Sequence, residues 1–148
     1  MDRIEEMRKK LIDSAKRKVQ QKYEEKDVHI IKSVNILEDL DPISNLLIEQ
    51  LREWHCVHFP ELSELAQDSD EYLKLVYHIG SRENFSEKKV SEHVNNPDRA
   101  NQIAGAAEKA IGSAVDEKDL SEMKTLALNC INLRKERERL EQLGYTPE

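Results

Sequence analysis

The stretch 116–143, DEKDLSEMKTLALNCINLRKERERLEQL, decides the fold. Leu126, Leu133 and Leu140 recur every seven residues, and Met123, Cys130 and Arg137 each fall three residues before one of them. This is the a/d seam of a coiled coil, which Leu120, Ala127 and Ile131 widen beyond a strict two-stranded zipper. At the rise of an α-helix the stretch is about 40 Å long. A seam of that length needs a partner, because a lone helix leaves it in water.

Upstream, Ile4, Met7, Leu11, Ile12, Ala15 and Val19 give residues 1–23 the same spacing of three and four. The sequence therefore predicts an all-α fold: two long coiled-coil arms, about 1–40 and 116–143, packed antiparallel, with a compact middle, 41–115, at the tip. After the charged patch EEKD, Val28, Ile30, Ile31, Val34 and Leu37 keep the helical period. DLDPIS predicts a fresh helix start, with Asp41 as N-cap and Pro42 in the first position, where a missing N–H leaves nothing unpaired. That helix carries Ile43, Leu46, Leu47, Ile48 and Leu51 and reaches Trp54 and Val57 before Pro60 stops it. Further on, Asp70 is placed to cap a helix that Gly80 ends, and Asn95-Asn96-Pro97 marks a turn. The small-residue stretch DRANQIAGAAEKAIGSAV predicts a helix lying close to its neighbour, with Gly105 kept for its size at a cost of about 1 kcal/mol. Gly144 and Pro147 are expected to end the last helix.

Composition narrows the function. In 148 residues, 36% are charged, 38% are apolar and 5% aromatic, which favours a long, surface-rich helical molecule over a thick globular core. Lys and Arg number 23 against 30 Asp and Glu, a net charge of −7 that disfavours a self-sufficient nucleic-acid binder. No apolar run is long enough to cross a bilayer, and MDRIEEMRKK is too charged for a signal peptide. Cys56 and Cys130 lie far apart, as reduced thiols in a cytosol would. The expectation is a soluble intracellular protein with no membrane partner. Two basic clusters stand out against the acidic whole: the first segment, and Arg134, Lys135, Arg137 and Arg139, interleaved with Glu136, Glu138 and Glu141. The plainer reading of both is a solvated helix face with compensating charge.

Residues with chemistry concentrate in LREWHCVHFPEL, 51–62. His55 and His58 lie three apart on a helix and could share a ligand. A zinc site needs three or four convergent donors, however, and Cys56 points about 100° away from His55. A Cys–His nucleophile would need an orienting residue and an oxyanion hole, and no Gly-rich or strand-turn-helix context surrounds Cys56. Trp54, Val57, Phe59 and Leu62 instead predict an aromatic plug at a helix end. AGAAEKAIG lacks the spacing of a phosphate-binding loop and follows no strand. GSRENFS, 80–86, reads as a structural turn, with Arg82 and Glu83 able to pair and Phe85 to anchor. No catalytic residue, metal site or cofactor is expected.

The block LREWHCVHFPEL resembles a stretch of the form LREWYxxHFPEL in the Nop family, the scaffolds of box C/D ribonucleoprotein particles and their spliceosomal relative. The residues that carry the resemblance are Leu51, Arg52, Glu53, Trp54, His58, Phe59, Pro60, Glu61 and Leu62, while His55 stands where the family usually has Tyr. VHIIKSVNILEDLDPISNLLIEQLREW resembles the family's lead-in, YLKLVYHIGSRENFSEKKV its following segment, and the heptad helix the second arm of its coiled coil. The likeness spans about Lys26 to Leu143. It implies a non-catalytic scaffold of a particle that directs 2′-O-methylation by guide RNA, or alternatively a splicing scaffold. The other open reading is a helical adaptor or His-based metal module unrelated to RNA. The resemblance further implies self-association with a second copy or a paralogue, along Met123, Leu126, Cys130, Leu133 and Leu140. Contacts from Arg134, Lys135, Arg137 and Arg139 to RNA backbone are expected in the particle. Fibrillarin and the kink-turn-binding protein are expected through an N-terminal and a C-terminal Nop domain that the chain is read as lacking; GAAEK at 105–109 lies upstream of the heptad helix and is not that domain's GAEK motif. The expected location is the cytoplasm of an archaeal cell, or the nucleus or nucleolus of a eukaryotic one.

Overall fold

A computed structural model describes residues 2–24 and 26–143, with the side chains of all of these except 22–24, 26 and 27. The helices are α1 (Arg3–Glu24), α2 (Lys26–Cys56), α3 (Glu61–Leu65), α4 (Ser69–His78), α5 (Glu87–Ser91), α6 (Pro97–Glu108) and α7 (Glu117–Gln142), with a 3₁₀ turn over Arg82–Asn84. Among the described residues the fold is all-α, as the periodicity predicted, and no helix is long and apolar enough to cross a membrane. The Gly144 cap and Pro147 lie outside the described residues.

The chain divides into two compact units, one drawn from Met1–Asp39 and Leu140–Glu148, the other from Leu40–Arg139. In the first, the α1 stripe faces water: Ile4, Met7, Leu11, Ile12 and Val19 are all exposed.

The larger unit holds the core. Ile48 and Leu51 of α2, Leu62 of α3, Tyr72, Leu73, Leu75 and Val76 of α4, Ala100 and Ile103 of α6, and Met123, Ala127 and Cys130 of α7 meet there. On α2 the buried line runs Ser44, Ile48, Leu51, His55, each step of three or four residues keeping to one face of the helix.

Local signals place most helix ends. The Asn96 side chain accepts from Asp98 N–H at 2.9 Å with Pro97 in the first turn of α6, and Asp116 caps α7 through Asp119 N–H at 2.8 Å. Gly80, at φ +74°, ends α4 in the left-handed region that glycine tolerates. Three expectations are corrected. α2 runs through Asp41 and Pro42 instead of starting there. Both Glu38 and Pro42 are exposed, so water can take the carbonyl that proline leaves without a donor. The cap of α4 is Asp68, whose Oδ1 accepts from Glu71 N–H at 2.9 Å; Asp70 sits in the first turn, where its charge suits the helix dipole. Gly105 is not a close contact, since a Cβ there would meet nothing within 4 Å.

In α7 the seam residues divide. Met123, Ala127 and Cys130 are buried in the chain's own core, while Leu126 and Leu133 are half-buried. A heptad drifts about 20° per repeat on a straight helix. Leu126, Leu133 and Leu140 thus follow a line that leaves the buried face. Arg137, at the seam's third step, is part-exposed and bonds Asp41.

Candidate functional site

The end of α2 is fastened by its histidines. His55 Nε2–H donates to the Gly80 carbonyl at 2.8 Å, and its ring packs among Tyr72, Phe59 and His58. Burial, only partly offset by that hydrogen bond, drives its pKa down to about 4, so the ring is neutral and its buried Nδ1 has no partner.

His58 uses both nitrogens. Nδ1–H donates to the Ser113 carbonyl at 2.8 Å and Nε2 accepts from Arg82 N–H at 2.9 Å, which fixes the tautomer. Arg82 Nη1 then donates to the carbonyls of His58, at 3.0 Å, Ala110 and Gly112. Ser113 N–H returns a bond to the Val57 carbonyl at 2.8 Å. Gly112 permits this docking, since a Cβ on it would come within 2.1 Å of the His58 carbonyl oxygen. The result is a joint that holds the loop before α7 against the end of α2.

Neighbouring bonds stiffen the joint. Arg52 Nη1 donates to Ser63 Oγ at 2.8 Å and its guanidinium lies 4.5 Å from the Tyr72 ring centre, a cation–π contact. Phe59 and Phe85 meet edge to face at 5.1 Å. Arg99, from α6, grips Glu71 with two nitrogens and donates to the Leu65 carbonyl at 3.1 Å.

The structure gathers most of the motif here. Leu51, His58, Phe59 and Leu62 are buried, Pro60 precedes α3, Glu61 opens it, and Glu53 faces solvent. The expected plug is half corrected: Trp54 and Val57 stand at the surface, because α2 turns them about 100° or more from the buried line. His55 and His58 take their places in the core. They do not form a metal pair, because His55 Nε2 and both nitrogens of His58 face backbone groups. Cys56 is half-buried and its thiol is pushed up by burial; Cys130 is buried, with its thiol likewise raised. Three of the four basic residues of the cluster at 134–139 have acidic partners: Arg134 with Asp70 at 3.1 Å, Arg137 with Asp41, and Arg139 with Glu136 at 2.6 Å. Lys135 is exposed.

A family model described as Nop, snoRNA binding domain, fibrillarin, matches residues 36–143. The chain belongs to the Nop family. Nucleolar protein 58 of Candida albicans is 35% identical over 115 residues, covering 77% of this chain and 22% of that protein. The human Nucleolar protein 58 is 32% identical over 114 residues, covering 77% of this chain and 21% of its own length. An uncharacterized NOP5 family protein of Methanocaldococcus jannaschii is 31% identical over 141 residues, covering 92% of this chain and 34% of its own. The chain thus spans between about a fifth and a third of these Nop relatives.

Sequence reasoning missed Gly112, Ser113 and the role of Arg82 as the hub of the Nop-motif joint. Their partners lie 24 to 55 residues away along the chain, beyond any local period. No local signal marked Gly112: the small-residue stretch carried the expected helix on through it to Val115, whereas α6 ends at Glu108.

Proposed function

We propose that the chain is a non-catalytic scaffold module of a box C/D-type RNA–protein particle, which guides 2′-O-methylation. The family match over 36–143, with its motif folded into a rigid joint between α2 and α7, is the observation that carries this reading. The histidines that could have done chemistry are spent on backbone carbonyls and an amide, so the block supplies geometry.

In this reading the arms, about 1–40 and 116–143, pair with a second copy or a paralogue and space the modules they carry. Leu126, Leu133 and Leu140 supply the seam on α7, and the α1 stripe supplies that of the first arm. Fibrillarin and the kink-turn-binding protein are the expected companions in the particle. Residence is nucleolar in a eukaryotic cell and cytoplasmic in an archaeal one.

Sedimentation velocity tests the pairing. The wild type is expected to sediment as a dimer, and Leu133→Glu and Leu11→Glu as monomers. Leu133 is half-buried, so its variant also perturbs the fold; Leu11 is 69% exposed, so a charge there leaves the folded chain intact. A wild type that stays monomeric as concentration rises, or a dimeric Leu11→Glu, overturns this interface.

A further inference from the structure

A second pair of histidines lies in the same unit with different surroundings. The His78 and His93 rings stack at 4.5 Å and 12°, and the Tyr77 ring meets His78 edge-on at 4.8 Å. Among the described residues the nitrogens of His78 and His93 make no hydrogen bond. The two histidines line a cleft of roughly 470 Å³ with Asn84, Lys89, Glu92 and Lys124.

Charge in this cleft is unbalanced. Lys89 and Lys124 make no ion pair among the described residues, whereas Arg82, Arg99, Arg134, Arg137 and Arg139 each have a carboxylate. Lys74 is near enough to repel a charge on His93, and Glu92 is the one acid lining the cleft. Burial and then the neighbouring His78 hold the His93 imidazole below its usual range, with Glu92 pulling it back up and Lys74 adding to the lowering. Lys124 passes over Gly80, where a Cβ would sit 2.5 Å from its Cε, the far end of a flexible side chain.

We infer that this cleft binds single-stranded RNA, with Lys89 and Lys124 on backbone phosphate and the His78–His93 stack as a platform for a base. Cations beside stacked rings are the pairing such strands require: the charge tracks phosphate and the rings accept any base. The inference rests on the RNA-particle reading above. It places the contact away from α7's arginines, whose carboxylate partners would have to be displaced first.

Fluorescence anisotropy with a labelled oligouridine, on the full chain, is the test. Lys89→Gln combined with Lys124→Gln is expected to weaken binding about tenfold and to reduce the salt slope by about 1.4, two phosphates' worth for a single strand. His78→Ala is expected to weaken it several-fold with the slope unchanged, while Arg139→Gln has no effect. Ring-proton shifts of His78 and His93 on adding RNA provide a readout independent of the variants. Equal binding by wild type and the double lysine variant overturns the cleft and leaves the scaffold reading standing. No binding by the wild type also overturns it, while the dimer test above decides the scaffold separately. Ring shifts reproduced in full by inorganic phosphate alone would reduce the site to a phosphate pocket and overturn the RNA assignment.

Discussion

The two histidine pairs of the larger unit have opposite environments. His55 and His58 are wholly buried, and three of their four ring nitrogens meet backbone groups. His78 is exposed, His93 half-buried, and their rings are occupied only with each other and with Tyr77. The first pair lies three residues apart in a block full of rare residue types; the second lies fifteen residues apart, across ordinary helix and turn. Conspicuous sequence thus marks the joint, where a histidine is worth having for its two directional hydrogen bonds. The pair with free chemistry is assembled by the fold.

Removing a joint histidine should have the largest effect. His58→Phe keeps a ring in the core but strands the Ser113 carbonyl and the Arg82 N–H, each costing about 1–3 kcal/mol when buried without a partner. A loss of about 4 kcal/mol in urea unfolding is expected, against less than about 0.5 kcal/mol for His93→Ala, a partly exposed site without hydrogen bonds. Similar losses at the two positions would erase the distinction between the pairs.

Acid should separate the pairs as well. The pKa of His55 is near 4 in the fold and 6.5 in the unfolded chain, so below pH 6.5 the unfolded state binds the extra proton. Stability therefore falls as pH drops from about 6.5 towards 4, by about 3 kcal/mol in total at about 1.4 kcal/mol per unit. Above pH 6.5 this contribution is fully present. His55→Gln, whose amide can still donate to the Gly80 carbonyl, should flatten that limb of the urea-midpoint profile. An unchanged slope would mean that His55 is already solvated in the native protein.

How much of this was legible follows from range. Helix existence was readable from the three-and-four spacing, and the break before α6 from Asn95-Asn96-Pro97, because both signals act within one or two turns; the caps at Asn96 and Asp116 were not singled out. Pro42 misled, since its usual position is a helix start and only the exposure of the surrounding face allows α2 to continue. Trp54 misled in another way: size suggests burial, but a helix end turns one residue inward and the next outward, and His55 took the inner place. The heptad of α7 revealed a seam without revealing its partner, and Met123 and Cys130 proved to face the chain's own core. The motif was legible as a resemblance. What it builds depends on Arg82, Gly112 and Ser113, reached only through tertiary contact.

The smallest contrast is also the most local. Gly105 and Gly112 are seven residues apart, and composition alone treats them as the same feature of a small-residue stretch. A Cβ at Gly105 meets nothing within 4 Å and the residue lies inside α6, so Gly105→Ala should stabilise by about 0.5–1 kcal/mol through helix propensity. A Cβ at Gly112 would come within 2.1 Å of the His58 oxygen and 2.4 Å of its carbonyl carbon, backbone atoms that no rotamer change can move aside. Gly112→Ala should therefore destabilise by about 1–3 kcal/mol, the cost of overpacking. The site of the damage should show as well. Because the loop must lift from the end of α2, amide exchange of Ser113 is expected to accelerate more than that of α6. Uniform acceleration across the unit would mean that the joint melts with the core and holds no geometry of its own.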